Sequence, residues 1–339
     1  MRRVLLWSLF FLICAGLGYP AIRYYDPRTR GERDSSNLYH DLVTGDAASG
    51  GISPDGGPWL FEQRLLVPVL ARPFYRSLQG HTGSWDPVFL SLLIVNAALM
   101  ATVALLLLSL ARRVTPDPAV GLVAPLLLLA NFASPTYYLA GLVDSVELLG
   151  ITLFTLLCLA GRWRWLPLVA AIVVVGKETF LPLGSAFAAG WLAVSWNSER
   201  RPGRAAFWVV LQALVAASVL SAVAVSQGRA LNWLVDVGTL RLASPDVFRN
   251  ALEIMKDHGL WYVFAWLLPL AIPGLLQLPR PWIAATCIAS FVAFGLGVLA
   301  NEPSVNRALM NVAAPLLCVG AAATLLGIVR RTPASVSGG

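Results

Sequence analysis

The chain is short of charge. Only 13% of its residues are Asp, Glu, Lys or Arg, whereas a soluble globular domain carries about 25%. With 57% hydrophobic residues over 339 positions, a water-soluble fold could not hide its apolar surface, and lipid is the natural solvent. Histidine is scarce too. His40, His81 and His258 lie far apart, which leaves no His-based metal centre. Cys14, Cys158, Cys287 and Cys318 all fall inside apolar runs without a C-x-x-C partner, so neither a disulfide nor a zinc site is expected. No internal repeat is visible. The net charge of +7 does not point to nucleic acid, because the arginines sit in short clusters between apolar runs. Such clusters read as topology signals.

Spanning the hydrocarbon takes about 20 apolar helical residues. The sequence predicts an all-α bundle of about ten spans, near 4–22, 87–111, 119–134, 142–160, 164–177, 180–196, 205–226, 259–278, 282–300 and 308–329. The run at 119–134 and that at 164–177 are short and read as broken or tilted. Arg2 and Arg3 before Val4–Gly18 resemble a signal peptide. However, Ile13 before Cys14 is too bulky for a lipoprotein site, and no small-x-small site closes the run, so an uncleaved first span is expected. Residues 1–331 then form one transmembrane domain with a long outer loop at 23–86 and a second at 227–258. The small, polar tail 332–339 is expected to be disordered.

Lys and Arg in short loops mark the cytoplasmic side. Arg2-Arg3, Arg112-Arg113, Arg162 with Arg164, Arg200-Arg201 with Arg204, Arg280 and Arg330-Arg331 all fall on one side if the spans alternate. That side holds 12 basic residues and two acids, Asp117 and Glu199, and the other side holds 13 basic residues and 16 acids. Both termini are therefore expected inside. The hairpins between Arg113 and Arg162 and between Arg164 and Arg200 point outward, with Asp144 and Glu147 at one tip and Lys177 and Glu178 at the other. Within the first outer loop, Trp59 to Leu78 reads as an amphipathic interfacial helix interrupted by Pro68 and Pro73, with Arg64, Arg72 and Arg76 toward headgroups. A helix from about Asp246 to Asp257 is expected in the second loop, started by Ser244-Pro245.

Ionisable groups near membrane depth are expensive and are functional candidates. Asp144 and Glu147 share a helical face. Lys177 and Glu178 end one span, and Glu302 and Arg307 flank the last loop. Asp26, Glu32, Asp34, Asp41 and Asp46 lie in the first loop. Each alone reads equally as a helix anchor in the headgroups. As a set they do not, because the arginine-rich span ends carry almost no acids. A carboxylate can take a proton from an acceptor hydroxyl as general base, while Lys and Arg can hold a phosphate and stabilise its developing charge. These parts suit sugar transfer from a lipid-linked phosphate.

Four stretches strengthen that reading: Arg33-Asp34-Ser35-Ser36-Asn37-Leu38-Tyr39, then Glu62-Gln63-Arg64-Leu65-Leu66-Val67-Pro68-Val69-Leu70-Ala71, Gly141-Leu142-Val143-Asp144 and Gly176-Lys177-Glu178. With a first span followed by a long outer loop, the chain resembles the GT-C superfamily of polyprenyl-phosphate-sugar-dependent membrane glycosyltransferases. The resemblance covers most of the chain in architecture and rests on short motifs. It implies a helical bundle with interfacial helices in the first outer loop, a polyprenyl phosphosugar donor, and an Asp of that loop as base. Asp34 is the best match to that Asp and Asp41 the next, with His40 beside it. The two adjacent acids common in this loop of the family are missing here, which argues against a metal-dependent version. No cofactor is expected, and a divalent metal stays open. Arg64, Lys177 and Arg307 are candidates for the donor phosphate, with Asp144, Glu147 and Glu178 lining the same site. The implied activity is an inverting hexosyl or pentosyl transfer to an unidentified acceptor, at the outer face of a bacterial inner membrane. A transporter or lipid flippase, or a non-catalytic partner in envelope polymer assembly, fits the same composition. Reporter fusions placed after Lys177 and after Arg201 are expected to report opposite compartments, and a shared compartment would dissolve the drawn site.

Overall fold

The computed structural model describes residues 2–24, 39, 42–45, 64–83, 85–226, 247–300 and 305–331. Asp34, Asp41 and the tail 332–339 lie outside these residues, as does most of the second outer loop. Everything regular among the described residues is helical. The α-helices are α1 Arg2–Tyr24, α2 Leu66–Leu78, α3 Pro87–Val114, α4 Val120–Ala130, α5 Asp144–Leu159, α6 Leu166–Gly176, α7 Phe180–Ser195 and α8 Pro202–Ser226. They continue with α9 Val247–Lys256, α10 His258–Phe264, α11 Leu267–Leu275, α12 Arg280–Ala300 and α13 Val305–Arg331.

Among the described residues, five helices are long and apolar enough to cross a membrane: Arg2–Pro20, Pro87–Val114, Pro202–Ser226, Arg280–Leu299 and Val305–Arg330. The pair α10–α11 makes a sixth if taken as one span bent by 45°. The chain is an integral membrane protein. Leu12, Val210, Leu214 and Phe291, on α1, α8 and α12, are exposed and suit contact with lipid rather than water. By contrast, α3 and α13 are mostly buried and form the middle of the bundle.

The shorter helices end where the backbone finds another partner. The run expected at 119–134 stops at Ala130 because Asn131 turns the chain. Its amide donates to the Val263 carbonyl at 3.1 Å and its side-chain oxygen accepts from the Ala133 N–H at 2.9 Å. A π-helical turn, Ser134–Tyr138, follows. The run at 259–278 breaks between Phe264 and Leu267. Pro269 lacks the N–H that would have bonded back to residue 265, so the preceding turn is weakened. Such irregular backbone is tolerated at membrane depth where protein covers it. The helix expected near 246–257 is α9, and α2 keeps both prolines, with Pro68 in the first turn, where proline is tolerated.

Close helix pairs use small residues. The most extensive pairings are α11 with α13 and α7 with α12. A Cβ on Gly274 of α11 would overlap the Gly320 carbonyl of α13. Small residues are how membrane helices bring backbones together where lipid supplies no hydrophobic drive.

Two ends of the bundle differ. Arg2, Arg3, Arg112, Arg113 and Arg162 surround one cavity. Arg162, Arg164, Arg200, Arg201 and Arg204 line the adjoining cleft. Arg330 pairs with Asp117, just past α3, at 2.8 Å. Five of the six arginine clusters are thus gathered at one end. Asp144, Lys177 and Glu178 lie at the opposite ends of α5 and of the α6–α7 hairpin. Gly274→Leu is expected to part α11 from α13 and lower stability in detergent by about 1–3 kcal/mol or more. Gly295→Leu, at a position with open space around it, should leave thermal unfolding unchanged.

Candidate functional site

Gly176 sets the position of the α6–α7 tip. A Cβ there would meet Val146 Cγ1 at 2.5 Å, so only glycine lets the end of α6 approach the first turn of α5. The next residue, Lys177, is extended and ends α6. Its ammonium group therefore reaches the α5 carboxylates. Lys177 Nζ donates to Asp144 Oδ1 and lies 3.7 Å from Glu147 Oε2. The two acids occupy the first turn of α5, where the helix N-terminus favours negative charge.

Glu147 is fully buried and well supplied with donors. Thr179 Oγ1 donates to its Oε1 at 2.6 Å, and Asn311 Nδ2, from the middle of the bundle on α13, donates to Oε2 at 2.5 Å. Behind it, Ser145 Oγ donates to Asn96 Oδ1 at 2.5 Å, and Asn96 Nδ2 to the Leu142 carbonyl at 2.8 Å. These bonds tie α3, α5, α7 and α13 into one polar layer.

Arg64 enters from the other side. The Leu65 N–H donates to the Val175 carbonyl at 2.9 Å, laying the chain before α2 along the end of α6. The guanidinium then forks onto Glu178, Nε to Oε2 at 2.8 Å and Nη2 to Oε1 at 2.6 Å. A bidentate pair of this kind is among the strongest polar contacts available to side chains. Arg64 Nη1 also donates to the Tyr39 hydroxyl at 3.1 Å. Burial alone would push the Arg64 pKa down, but the Glu178 carboxylate outweighs it and holds the guanidinium charged. Burial raises the Tyr39 phenol above its ordinary range despite the pull of Arg64, so the hydroxyl stays protonated.

The arrangement differs from the expected headgroup-facing row of arginines. Arg64 precedes α2 and is held, mostly covered, in an ion pair with Glu178. Arg72 Nε donates to the Leu42 carbonyl at 3.0 Å, and of the three arginines only Arg76 is exposed. The face of α2 turned outward is instead apolar, with Val69, Leu70 and Phe74 exposed. That geometry still suits an interfacial helix, with its apolar face in the acyl boundary.

Arg307, in the first turn of α13, stands apart. Its guanidinium carbon lies 5.1 Å from the Tyr137 ring centroid, within cation–π range. Its Nε is buried without a hydrogen-bond partner, and it forms no ion pair with any described residue. Beside it, Asn306 Nδ2 donates to Asp257 Oδ2 at 2.7 Å and to the Tyr137 hydroxyl at 3.1 Å. The Tyr138 hydroxyl, Asn306 Oδ1 and Asn311 Oδ1 are also buried and unpartnered. Buried polar atoms are nearly always paired, so four open atoms within one layer of the fold mark it as a place for polar ligand atoms.

The six candidates Arg64, Asp144, Glu147, Lys177, Glu178 and Arg307 are thus all at this layer, three cations and three carboxylates, with Asp257 as a further acid on the Arg307 side. Asp34 and Asp41 lie outside the described residues. Tyr39, Leu42 and Val43, which flank Asp41 in sequence, are buried. Tyr39, Thr179, Asn311, Asn306 and Tyr137 were not among the sequence candidates. The signal that could have found the asparagines is a lone amide within an apolar run, four residues from a charge in the case of Arg307 and Asn311. No group of three or more metal-type ligands occurs among the described residues. No protein-family model, curated protein or solved structure matches the chain.

Removing one partner of a buried pair leaves a bare charge and costs about 3–5 kcal/mol. Arg64→Met and Glu178→Leu should each lower thermal stability on that scale. The double variant should recover most of the loss, and additive losses would show that the two residues do not act as a pair.

Proposed function

We propose that the chain is a membrane glycosyltransferase that moves a sugar from a polyprenyl-phosphate donor to an acceptor at the outer face. What carries the reading is the single polar layer at one end of an otherwise apolar bundle. It is built from the first loop and the α5 and α6–α7 tips, the elements the GT-C resemblance singles out, together with the start of α13. The donor's lipid tail lies in the bilayer with its phosphate at the level of this layer. In this reading the bundle makes about ten membrane passages, the shorter helices included, with both termini and the arginine clusters in the cytoplasm of a bacterial cell.

Arg307 is the cation best placed to receive the donor phosphate, because its guanidinium makes no ion pair with a described carboxylate and its Nε is an open donor. Lys177 and Arg64 are held by acids. They offset the charge of Asp144, Glu147 and Glu178, which would otherwise repel the phosphate. Asp34 or Asp41 takes the proton from the acceptor hydroxyl as that oxygen attacks the anomeric carbon. The bond from that carbon to the phosphate oxygen breaks, the configuration inverts, and the polyprenyl phosphate leaves with the electron pair. Arg307 stabilises the charge gained by the phosphate.

One observation favours a second reading. The bent pair α10–α11 is a discontinuous helix, a device that transporters use at their binding sites. Single-cysteine labelling from each side decides between them, since a transporter alternates its open face with substrate and the enzyme keeps one.

Purified protein is expected to bind a polyprenyl phosphate, and Arg307→Gln to weaken that binding. A general base contributes roughly 10²–10⁴-fold. Asp34→Asn or Asp41→Asn should therefore lower transfer from a polyprenyl-phosphate sugar by that factor while insertion stays normal. Full activity in both variants would remove the proposed base.

A further inference from the structure

The end of the bundle away from the polar layer holds a cavity that the proposed transfer reaction does not use. It lies beside the last turn of α5, about 20 Å along that helix from Asp144. Its volume is about 620 Å³, within the roughly 300–1,000 Å³ typical of ligand sites. Arg2 and Arg3 from α1, Arg112 and Arg113 from α3, and Arg162 after α5 give it five guanidinium groups. No acid lines it, and none of the five arginines pairs with a described carboxylate. The rest of the wall is aliphatic, with Leu6, Leu105, Leu153, Leu156 and Leu157 running inward from the arginines.

A marker of orientation needs only positive charge near a span end. It does not need three helices to converge their arginines on one cavity, or a leucine wall behind them. The adjoining cleft makes the contrast. It too is rich in arginine, but Glu199 sits among its guanidinium groups and Trp163 and Trp208 replace the aliphatic wall. Arginine's fork matches phosphate oxygens in pairs. A ligand that satisfies both parts of the cavity has a phosphate at one end and a hydrocarbon chain at the other.

We propose that this cavity binds one molecule of an anionic phospholipid, its phosphate among the five arginines and an acyl chain along the leucines. Basic pockets between membrane helices are known to take such headgroups. The bound lipid bridges α1, α3 and α5, so it joins the first span to the middle of the bundle at the end opposite the polar layer.

The test uses the full chain in detergent, stripped of lipid and titrated with phosphatidylglycerol or with phosphatidylcholine. Bound lipid is read by native mass spectrometry and thermal unfolding. Phosphatidylglycerol is expected to bind one-to-one and to raise the unfolding temperature, and phosphatidylcholine to do neither. The triple change Arg112→Gln, Arg113→Gln and Arg162→Gln should weaken phosphatidylglycerol binding on the order of tenfold or more. Arg200→Gln with Arg201→Gln, in the neighbouring cleft, should leave it unchanged. Leu153→Trp and Leu157→Trp fill the groove without altering charge and should abolish the one-to-one complex, which keeps the test decisive if the arginine variant fails to fold. Equal loss in both arginine variants, or unaltered binding in the tryptophan variants, would reduce the effect to diffuse surface charge and overturn the proposal. Displacement by millimolar inorganic phosphate would overturn it in favour of a free anion. None of these readouts involves sugar transfer.

Discussion

Charge balance inside an apolar bundle is the constraint on which the rest depends. Each ion withdrawn from water costs several kcal/mol even after relaxation. Here three cations share one layer with Asp144, Glu147 and Glu178, and Asp257 lies on the Arg307 side. Lys177 stands between Asp144 and Glu147, and Arg64 forks onto Glu178. Neutral donors from Thr179 and Asn311 complete the shell around Glu147. The layer can stay at that depth only while every element that supplies a countercharge stays in place. A polar device that needs this much support is a strong determinant of which helices lie side by side.

The unequal helix lengths follow from the same demand. A helix that ran straight through would carry its polar residues past the layer. Instead α6 stops at Gly176 and α7 begins at Phe180, leaving Lys177, Glu178 and Thr179 as a compact tip against α5. Asn131 turns the chain after α4, and the π-turn that follows delivers Tyr137 to Arg307. The long, buried α3 and α13 give these shorter pieces a rigid wall, and their own amides at Asn96 and Asn311 enter the network.

Most of the helices were legible in the sequence, because apolar run length reports directly on burial in lipid or protein. The runs expected at 142–160, 164–177 and 180–196 became Asp144–Leu159, a 3₁₀ turn with Leu166–Gly176, and Phe180–Ser195. Where a helix breaks was less legible. The stop after Ala130 depends on Val263, 132 residues away, and no local pattern contains that partner. The candidate site shows the same division. Its charged members were visible as exceptions in an apolar sequence. Their pairing was not, since Arg64 finds Glu178 across 114 residues. An amphipathic pattern around Trp59–Leu78 made it look like one of a row of surface cations. The uncharged members, Tyr39 and Asn311 among them, carry no cost large enough to stand out from a single chain.

The spacing of the network along the chain bears on how the protein enters the bilayer. Asp144 and Glu147 are synthesised before Lys177, the cation that pairs with them, and unpaired acids in an apolar segment oppose its insertion. Lys177 follows Asp144 by 33 residues and Thr179 follows Glu147 by 32, which is the length of one helical hairpin. Asn311 comes 164 residues after Glu147. The segment from α5 to the start of α7 is therefore the smallest piece that brings Asp144 and Glu147 to lipid together with Lys177, while Glu178 draws on Arg64, which precedes it in the chain. Closure of the layer waits until α13 has left the ribosome. A chain cut short of its final helix would sit in the bilayer with a carboxylate still seeking its last donor, which is the kind of defect that membrane quality control can recognise.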